Sequence, residues 1–510
     1  MKKTILKNIF SNWVSYGLLV IITFIMTPMM LHYLGKVGYG VWLLINSLTS
    51  YLGLFDFRIQ SATTKYVAEY IGGKNFQKLN ALISTTFISF LAIALIVLCI
   101  TVVLAALTNH MFKIPIEYRP IAPYLVLIIG AEISLSFVIS PFVQVFSGLQ
   151  RYEVHAVVQT LSMLVKSALI IFFLKTGHGL LSIALSTFTV GLLGKLSYVI
   201  LMKHLKLSIQ VRIRLFDKQI LKMIFNYSIT SFTIASANRV INNTDNIIIG
   251  AAASVSGISV YGIAARLVKY MKELISNATN VLAPAASHTQ ICEDNGLLRT
   301  IALSSSKYTT ILIAPIAAGF FIVGDSFLYL WLGTGFIKTY YVLIILTISH
   351  VFSLPLYGIG SVLYGIAKHG IVAKILVSEA VLNIILSIIF VKYWGIIGVA
   401  LGTAIPSFFL NLFIFPWQLK KVFEIGMGEY YITCLIKPFI MAVPFGISLF
   451  VYKDVFGCST WFHFVGGILC SIIVYCFVVY IFELRYFVEA RYGTFWKALR
   501  EFPKIIRNTS

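Results

Sequence analysis

Ser259, Gly262, Arg266, Lys269, Tyr270, Glu273, Asn277 and Asn280 fall within about 100° of arc when residues 257–283 are drawn as a helix. Such a stripe offers two cations, a phenol, a carboxylate and two amides. Those groups bind anions and hydroxyls, because arginine and lysine hydrogen-bond phosphate or carboxylate oxygens strongly. They include no nucleophile with an adjacent base, so the chemistry they suit is recognition. A second stripe, Ser228, Ser236, Arg239, Asn242, Asn243 and Asn246, runs along residues 221–250. Two readings stay open. Either the stripes wall a water-filled space, or Arg266 or Lys269 pairs with Glu273 as a structural bridge. The cations outnumber the acid available to them.

Reaction chemistry has little to stand on elsewhere. The chain has no GxxxxGK[ST] loop and no HExxH. GIGSVLYG (358–365) lacks the lysine of a phosphate loop and reads as helix packing or a hinge. The six cysteines (99, 292, 434, 458, 470 and 476) form no CxxC pair and read as free thiols rather than metal ligands or a disulfide framework. The expectation is a protein that is not an enzyme and carries no cofactor.

The elements that position these stripes follow from composition. The chain is 59% hydrophobic and 11% charged over 510 residues, with mean hydropathy +0.91. Soluble domains carry about 25% charged residues, so this is a polytopic, all-α membrane protein. About 14 apolar segments each have the roughly 20 residues needed to cross a bilayer. The first, Trp13 to Leu34, is too long for a signal-peptide core and is expected to remain as an anchor. An even count puts both termini on one side. With that side inside, 25 cations lie near cytoplasmic span ends and seven in outer loops. That bias places the termini in the cytoplasm. It also makes the net charge of +22 a topology signal suited to anionic lipids, not to nucleic acid. In the tail, Tyr492, Phe495, Trp496, Leu499 and Phe502 are spaced as the apolar face of a basic amphipathic helix on the inner surface.

The two halves repeat. VGYGVWLLIN (37–46) matches SVYGIAARLV (259–268), GHGLLSIAL (177–185) matches YWGIIGVAL (393–401), and SGLQRY (147–152) falls against YGIAKH (364–369). The matches share their order and a nearly constant offset. They predict two parallel six-helix repeats, 1–215 and 216–424, followed by two extra helices and the basic tail in 425–510. Parallel repeats are a transporter architecture, with the substrate site expected between the halves. Pro28, Pro141, Pro315, Pro355 and Pro406 lie inside spans, as gating points or as the ordinary prolines of membrane helices.

Residues 40–80, GVWLLINSLTSYLGLFDFRIQSATTKYVAEYIGGKNFQKLN, together with the N-terminal KNIFSNWVSYG and the 12+2 span pattern, resemble bacterial oligosaccharide flippases. These are the O-antigen and polysaccharide repeat-unit translocases of the multidrug/oligosaccharidyl-lipid/polysaccharide (MOP) superfamily. The resemblance implies two lobes around a central cavity, working by alternating access. It implies an undecaprenyl-pyrophosphate-linked glycan carried from the cytoplasmic to the outer leaflet of a bacterial inner membrane, for O-antigen, lipopolysaccharide or other surface polysaccharide. Membrane lipids, a polysaccharide polymerase and chain-length proteins would be the partners. The alternative is a multidrug or cation antiporter of the same superfamily, which would need acids and aromatics where this chain has an excess of Arg and Lys.

The resemblance supplies no strict motif, so the site residues are chosen by cost. A charge at mid-bilayer costs about 2.5–3.5 kcal/mol on insertion scales. The cavity set is Arg239, Asn242, Arg266, Lys269, Tyr270 and Asn277, with Lys166 and Lys307 as deeper candidates. Arg58 and Lys65 are placed to meet a pyrophosphate at the inner leaflet, or simply to anchor the inner face. Asp56, Glu132, Glu273 and Glu379 are the candidates for coupling to a proton or sodium gradient, or for pairing with lysines. Lys195, near a span end, is expected to snorkel.

Overall fold

The computed structural model describes residues 2–203, 209–292 and 294–489; the amphipathic tail expected at 492–502 lies outside the described residues. In chain order the helices are α1 (Lys2–Ser50), α2 (Ile59–Gly72), α3 (Phe76–Met111), α4 (Ala122–Gly148), α5 (Tyr152–Lys175), α6 (Gly179–Met202), α7 (Lys218–Ala252), α8 (Val255–Thr279), α9 (Leu282–Ile291), α10 (Asn295–Leu332), α11 (Ile337–Ser353), α12 (Leu356–Gly365), α13 (Gly370–Phe409), α14 (Phe415–Phe423), α15 (Met427–Tyr430), α16 (Lys437–Phe456) and α17 (Trp461–Glu489).

Nine stretches among the described residues are long and apolar enough to cross a membrane, and α11 with α12, bent by 44°, make a tenth. Pro355 sits at that bend as the residue before α12. Two of the nine are pairs of limbs joined at a left-handed glycine, Gly35 (φ 65°) in α1 and Gly395 (φ 55°) in α13. Only glycine takes such a conformation without steric cost. Helices α7 and α8, at 35 and 25 residues, are long enough to cross but fail on apolarity. Counted limb by limb, with α7 and α8 included, the chain makes about 14 crossings. The two that hydropathy misses carry the polar stripes.

Polar side chains inside the apolar crossings are satisfied locally. Thr86, Thr101, Thr310 and Thr347 each donate to the carbonyl four residues back, at 2.7–2.9 Å. In hydrocarbon no water is available to take that hydrogen bond.

The segments matched in sequence at 147–152 and 364–369 end their helices alike. Helix α4 ends at Gly148 with Leu149 N donating to Val145 O and Arg151 N to Phe146 O; α12 ends at Gly365 with Ile366 N donating to Val362 O and Lys368 N to Leu363 O. Gln150 (φ 56°) and Ala367 (φ 58°) take the same left-handed conformation two residues after the glycine. Each glycine permits a close approach. A Cβ on Gly148 would stand 2.5 Å from Val67 Cγ1 of α2, and one on Gly365 would stand 2.3 Å from Ala283 O of α9. Helices α3 and α10 start alike, with Asn75 Oδ1 accepting from Lys78 N at 3.0 Å and Asp294 Oδ1 from Leu297 N at 2.8 Å. These side chains cap otherwise unpaired N–H groups.

The chain forms two compact units, residues 1–259 and 260–510. In the first, α2, α3, α4 and α7 share a core of Ile59, Ala62, Leu82, Phe90, Val97, Phe137 and Ile224. Gly130 lets α4 approach Thr101 of α3, where a Cβ would stand 2.2 Å from the threonine methyl; small residues serve this purpose in membrane helix packing. The second crossing does not run straight into α2. It tightens into a 3₁₀ turn over Tyr51–Asp56, and Phe57 and Arg58 then adopt left-handed φ of 46° and 59°. Helix α2 buries Ile59, Ala62 and Val67 in this core. In the second unit, Ala286, Ile301, Ile359, Leu363, Leu419 and Tyr430 form one core, and α10, α16 and α17 form another around Phe445, Leu449, Phe464 and Tyr475.

Candidate functional site

The first unit holds the α7 stripe. In chain order along α7, Ser228 Oγ donates to Arg58 O at 3.1 Å, the Arg239 guanidinium donates to Ser50 O, Thr244 meets the Tyr51 hydroxyl, and Asn246 Nδ2 donates to Ser47 Oγ at 2.9 Å. The tightened turn at 51–56 and the left-handed residues after it free carbonyls that α7 satisfies. Gly53 makes room, since a Cβ there would lie 2.8 Å from Arg239 Nη1. Asp56 and Arg58 both act electrostatically on Arg239. Arg239 is therefore engaged in holding the second crossing, while Asn242 is exposed and bonds back to Asn238 O at 2.6 Å. Arg58 and Lys65 are both exposed, and Lys65 Nζ lies 4.5 Å from the Tyr227 ring centre and 4.9 Å from that of Tyr66.

The second unit holds most of the α8 stripe. Tyr261, Ile263, Ala264, Leu267, Val268, Met271 and Ile275 are buried, whereas Arg266, Tyr270 and Glu273 are half-buried and Lys269 and Asn277 exposed. The helix thus turns its apolar side into its unit and its cationic side out. A lipid-facing crossing would have the reverse, because an exposed Arg or Lys in hydrocarbon is costly. Lys269 Nζ lies 3.7 Å from Glu273 Oε1, with side chains 63% and 35% exposed. Lys272, off the stripe, acts electrostatically on His350 and Glu379.

Glu379 belongs to a buried polar cluster. Asn411 Nδ2 donates to its Oε2 at 3.3 Å and to Ser407 O at 2.8 Å; Ser407 also bonds the carboxyl, and Asn383 Nδ2 donates to Thr403 Oγ1 at 2.8 Å. Glu379 and Asn383 are one helical turn apart, as are Thr403, Ser407 and Asn411. That spacing was available in the sequence, which drew attention only to the acid.

The remaining candidates are placed in ion pairs. Glu132 Oε1 of α4 lies 2.8 Å from Lys195 Nζ of α6, with Ser136 touching both. The snorkelling expected of Lys195 is thus replaced by pairing across two crossings. Lys166 of α5 is half-buried and feels the same carboxylate. Lys307, 8% exposed, lies 2.5 Å from Glu483 of α17, whose other oxygen accepts from Tyr308 at 3.3 Å. The structure therefore gathers Arg266, Lys269, Tyr270, Glu273 and Asn277 on one face of α8. It joins Arg58, Asp56 and Arg239 at the broken end of the second crossing. Lys166 with Glu132, Lys307 and Glu379 stand in three further clusters.

The fold is similar to that of solved MOP-superfamily transporters. The lipid II flippase MurJ, in an inward closed conformation, superposes with a TM-score of 0.74 over 94% of this chain and 99% of that one, at 17% identity. An inward-facing multidrug resistance MATE family transporter of the MOP superfamily gives 0.58 over 79% and 98%, at 18% identity. A MOP-superfamily transporter from Pyrococcus furiosus, described by the reverse polarity of its binding pocket, gives 0.55 over 83% and 97%, at 14% identity. The particular family follows from sequence: the model for polysaccharide biosynthesis proteins matches residues 68–340, more than half of the chain, and the protein belongs to that family. It is also 25% identical over 263 residues to the probable low-salt glycan biosynthesis flippase Agl15 of Haloferax volcanii. That match covers 51% of this chain and 55% of the relative, so the chain spans about half the length of the curated protein it matches.

Proposed function

We propose that this protein is a flippase that carries an undecaprenyl-pyrophosphate-linked oligosaccharide from the cytoplasmic to the outer leaflet of a bacterial inner membrane by alternating access, for O-antigen or another surface polysaccharide. The observation that carries this reading is the outward cationic face of α8, Arg266 and Lys269 with Tyr270 and Asn277 beside them. A diphosphate needs that charge, and the hydroxyls of a glycan need the phenol and amides. Family membership and the likeness to Agl15 support a glycan substrate. In this scheme Arg58 and Lys65 attract the diphosphate at the inner side, with Lys166 as a supporting charge, while Arg239 holds the second crossing and Lys307 stays paired with Glu483. Asp56, Glu132, Glu273 and Glu379 are candidates for coupling to a proton or sodium gradient, and Glu379 has the most complete set of polar neighbours. A polysaccharide polymerase and chain-length proteins would take the product.

The test is transport by the reconstituted full-length protein. It is expected to move a fluorescent polyprenyl-diphosphate glycan across proteoliposomes and to confer no resistance to cationic drugs in cells. Drug efflux without glycan movement would assign it to the antiporter class instead. Orientation is checked separately. Reporter fusions after Lys36, Asn109, Gly335 and Asp454 are expected outside, and those after Asn75, His204, Asn295 and Ser510 inside. A half with the inverse pattern would refute the parallel repeat.

A further inference from the structure

Beside the basic segment that leads into α7 there is a hollow of about 580 Å³, lined by Tyr66 of α2 and by Gln219, Lys222, Met223, Asn226 and Tyr227 of α7. It lies within the first unit, where α2 follows the second crossing and α7 begins the seventh. Its residues fall into three chemical kinds. Lys65, at the rim, is held over the Tyr66 and Tyr227 rings from two different helices, and Lys222 supplies a second exposed cation. The two rings lie 6.2 Å apart at an angle of 66° and present apolar faces. Gln219 and Asn226 add amides that both donate and accept. These groups converge on an open depression and offer charge-assisted, stacking and amide contacts to part of a ligand.

The walls are fixed. The segment before α7 is pinned to α3 by Gln210 N on Asn80 Oδ1 (3.0 Å), Arg212 N on Ser84 Oγ (3.1 Å) and Asp217 N on Thr85 Oγ1 (3.0 Å). The nearby acids do not cancel the cations. The acids nearby are Asp217, which caps Gln219 N at 2.7 Å, and Glu69, and they are outnumbered by Lys65 and Lys222 together with the cations of the segment before α7. Arg212, Arg214 and Lys218 on the same segment are exposed and add positive field.

We propose that this hollow is a docking subsite for the sugar-phosphate end of the lipid-linked substrate, occupied before the substrate enters the transport path. The proposal rests on the glycan-flippase reading and names a part of the substrate that reading leaves unplaced. The lysines take the phosphates, the tyrosine faces take the C–H face of the first sugar ring, and the amides take its hydroxyls. The glycerol headgroup of an ordinary anionic phospholipid has no ring face to offer the tyrosines, so the hollow discriminates between two phosphate-bearing lipids. Its size suits the sugar next to the diphosphate and not a whole repeat unit.

The experiment uses full-length protein in phosphatidylcholine nanodiscs and a geranylgeranyl-diphosphate-linked N-acetylglucosamine as probe. Lys65→Gln with Lys222→Gln is expected to weaken equilibrium binding about tenfold, as loss of charge-assisted contacts should, with the difference shrinking in high salt. Tyr66→Ala with Tyr227→Ala is expected to remove the preference for the sugar-bearing probe over plain geranylgeranyl diphosphate. The double phenylalanine variant, which keeps both rings, is expected to retain it. In transport, the lysine pair should raise the half-saturating substrate concentration more than it lowers the maximal rate. Wild-type protein that neither binds nor moves the probe would overturn the flippase reading, and this subsite with it. Wild-type transport with unaltered binding by both variant pairs would overturn the subsite alone. Displacement of the probe by phosphatidylglycerol at equal concentration would replace the assignment with an anionic-phospholipid site.

Discussion

Replacing Arg266 and Lys269 together by glutamine is expected to reduce glycan export about tenfold or more while leaving the protein inserted and folded. The stability half of this expectation comes from geometry. Lys269 and Glu273 are 3.7 Å apart one helical turn from each other, and the lysine side chain is 63% exposed. Such pairs contribute about 0.3–0.5 kcal/mol, so breaking this one strands no buried charge. The transport half comes from the two cations on the outward face, since a hydrogen bond to a charged group is worth about 1.5–3 kcal/mol. Exchanging each for the other basic residue is expected to keep part of the activity, because a phosphate accepts either charge though the arginine fork fits it better. The measurements are thermal unfolding in detergent and glycan export in cells lacking the native gene. Full export by the double glutamine variant would remove both residues from the mechanism. A large loss of stability would restore the structural-bridge reading.

Lys307→Ala is expected to have the opposite profile, with a large cost in stability. The side chains of Lys307 and Glu483 are 10% and 19% exposed and 2.5 Å apart, between the ninth crossing and the last. Removing the lysine leaves a carboxylate in a low-dielectric site, and losses of about 3–5 kcal/mol are typical of a broken buried pair. Replacing both partners by methionine is expected to recover most of that stability, since apolar pairs of similar volume often match a buried ion pair. Thermal unfolding of the two single variants and the double variant forms the cycle. Equal stability of Lys307→Ala and the unaltered protein would mean that water or another cation reaches Glu483.

These two sites also mark how far the sequence could be read. The α8 stripe was legible because a single helix carries it, and a period of 3.6 residues places Arg266, Lys269 and Glu273 together without knowledge of any neighbour. The crossings were legible because hydrocarbon demands about 20 apolar residues at a time. The partner of Lys307 was not legible. Glu483 lies five crossings later, and no local pattern links them. Lys195 failed for the same reason: its position near a span end suggested snorkelling, while α4 and α6 pack so that Glu132 meets it. The break at Tyr51–Asp56 was hidden because a lone glycine, Gly53, in an apolar run without proline still reads as continuous membrane helix; the partners on α7 that meet this break, Ser228 and Arg239, lie far away in sequence. Around Glu379 the signal was present, since Asn383, Thr403, Ser407 and Asn411 recur at helical spacing, but small polar residues draw less notice than charges.

The contacts that α7 makes with the second crossing bear on how the chain is made. Helix α7 is too polar to count as membrane-crossing on its own composition, yet it must leave the insertion machinery and settle in the bilayer. By the time it is synthesised, Ser47, Ser50 and Tyr51 are already in place, ready to receive Asn246, Arg239 and Thr244. The earlier-made crossing thus offers polar partners to a helix that hydrocarbon alone would not welcome, and the order of synthesis becomes part of how α7 finds its place.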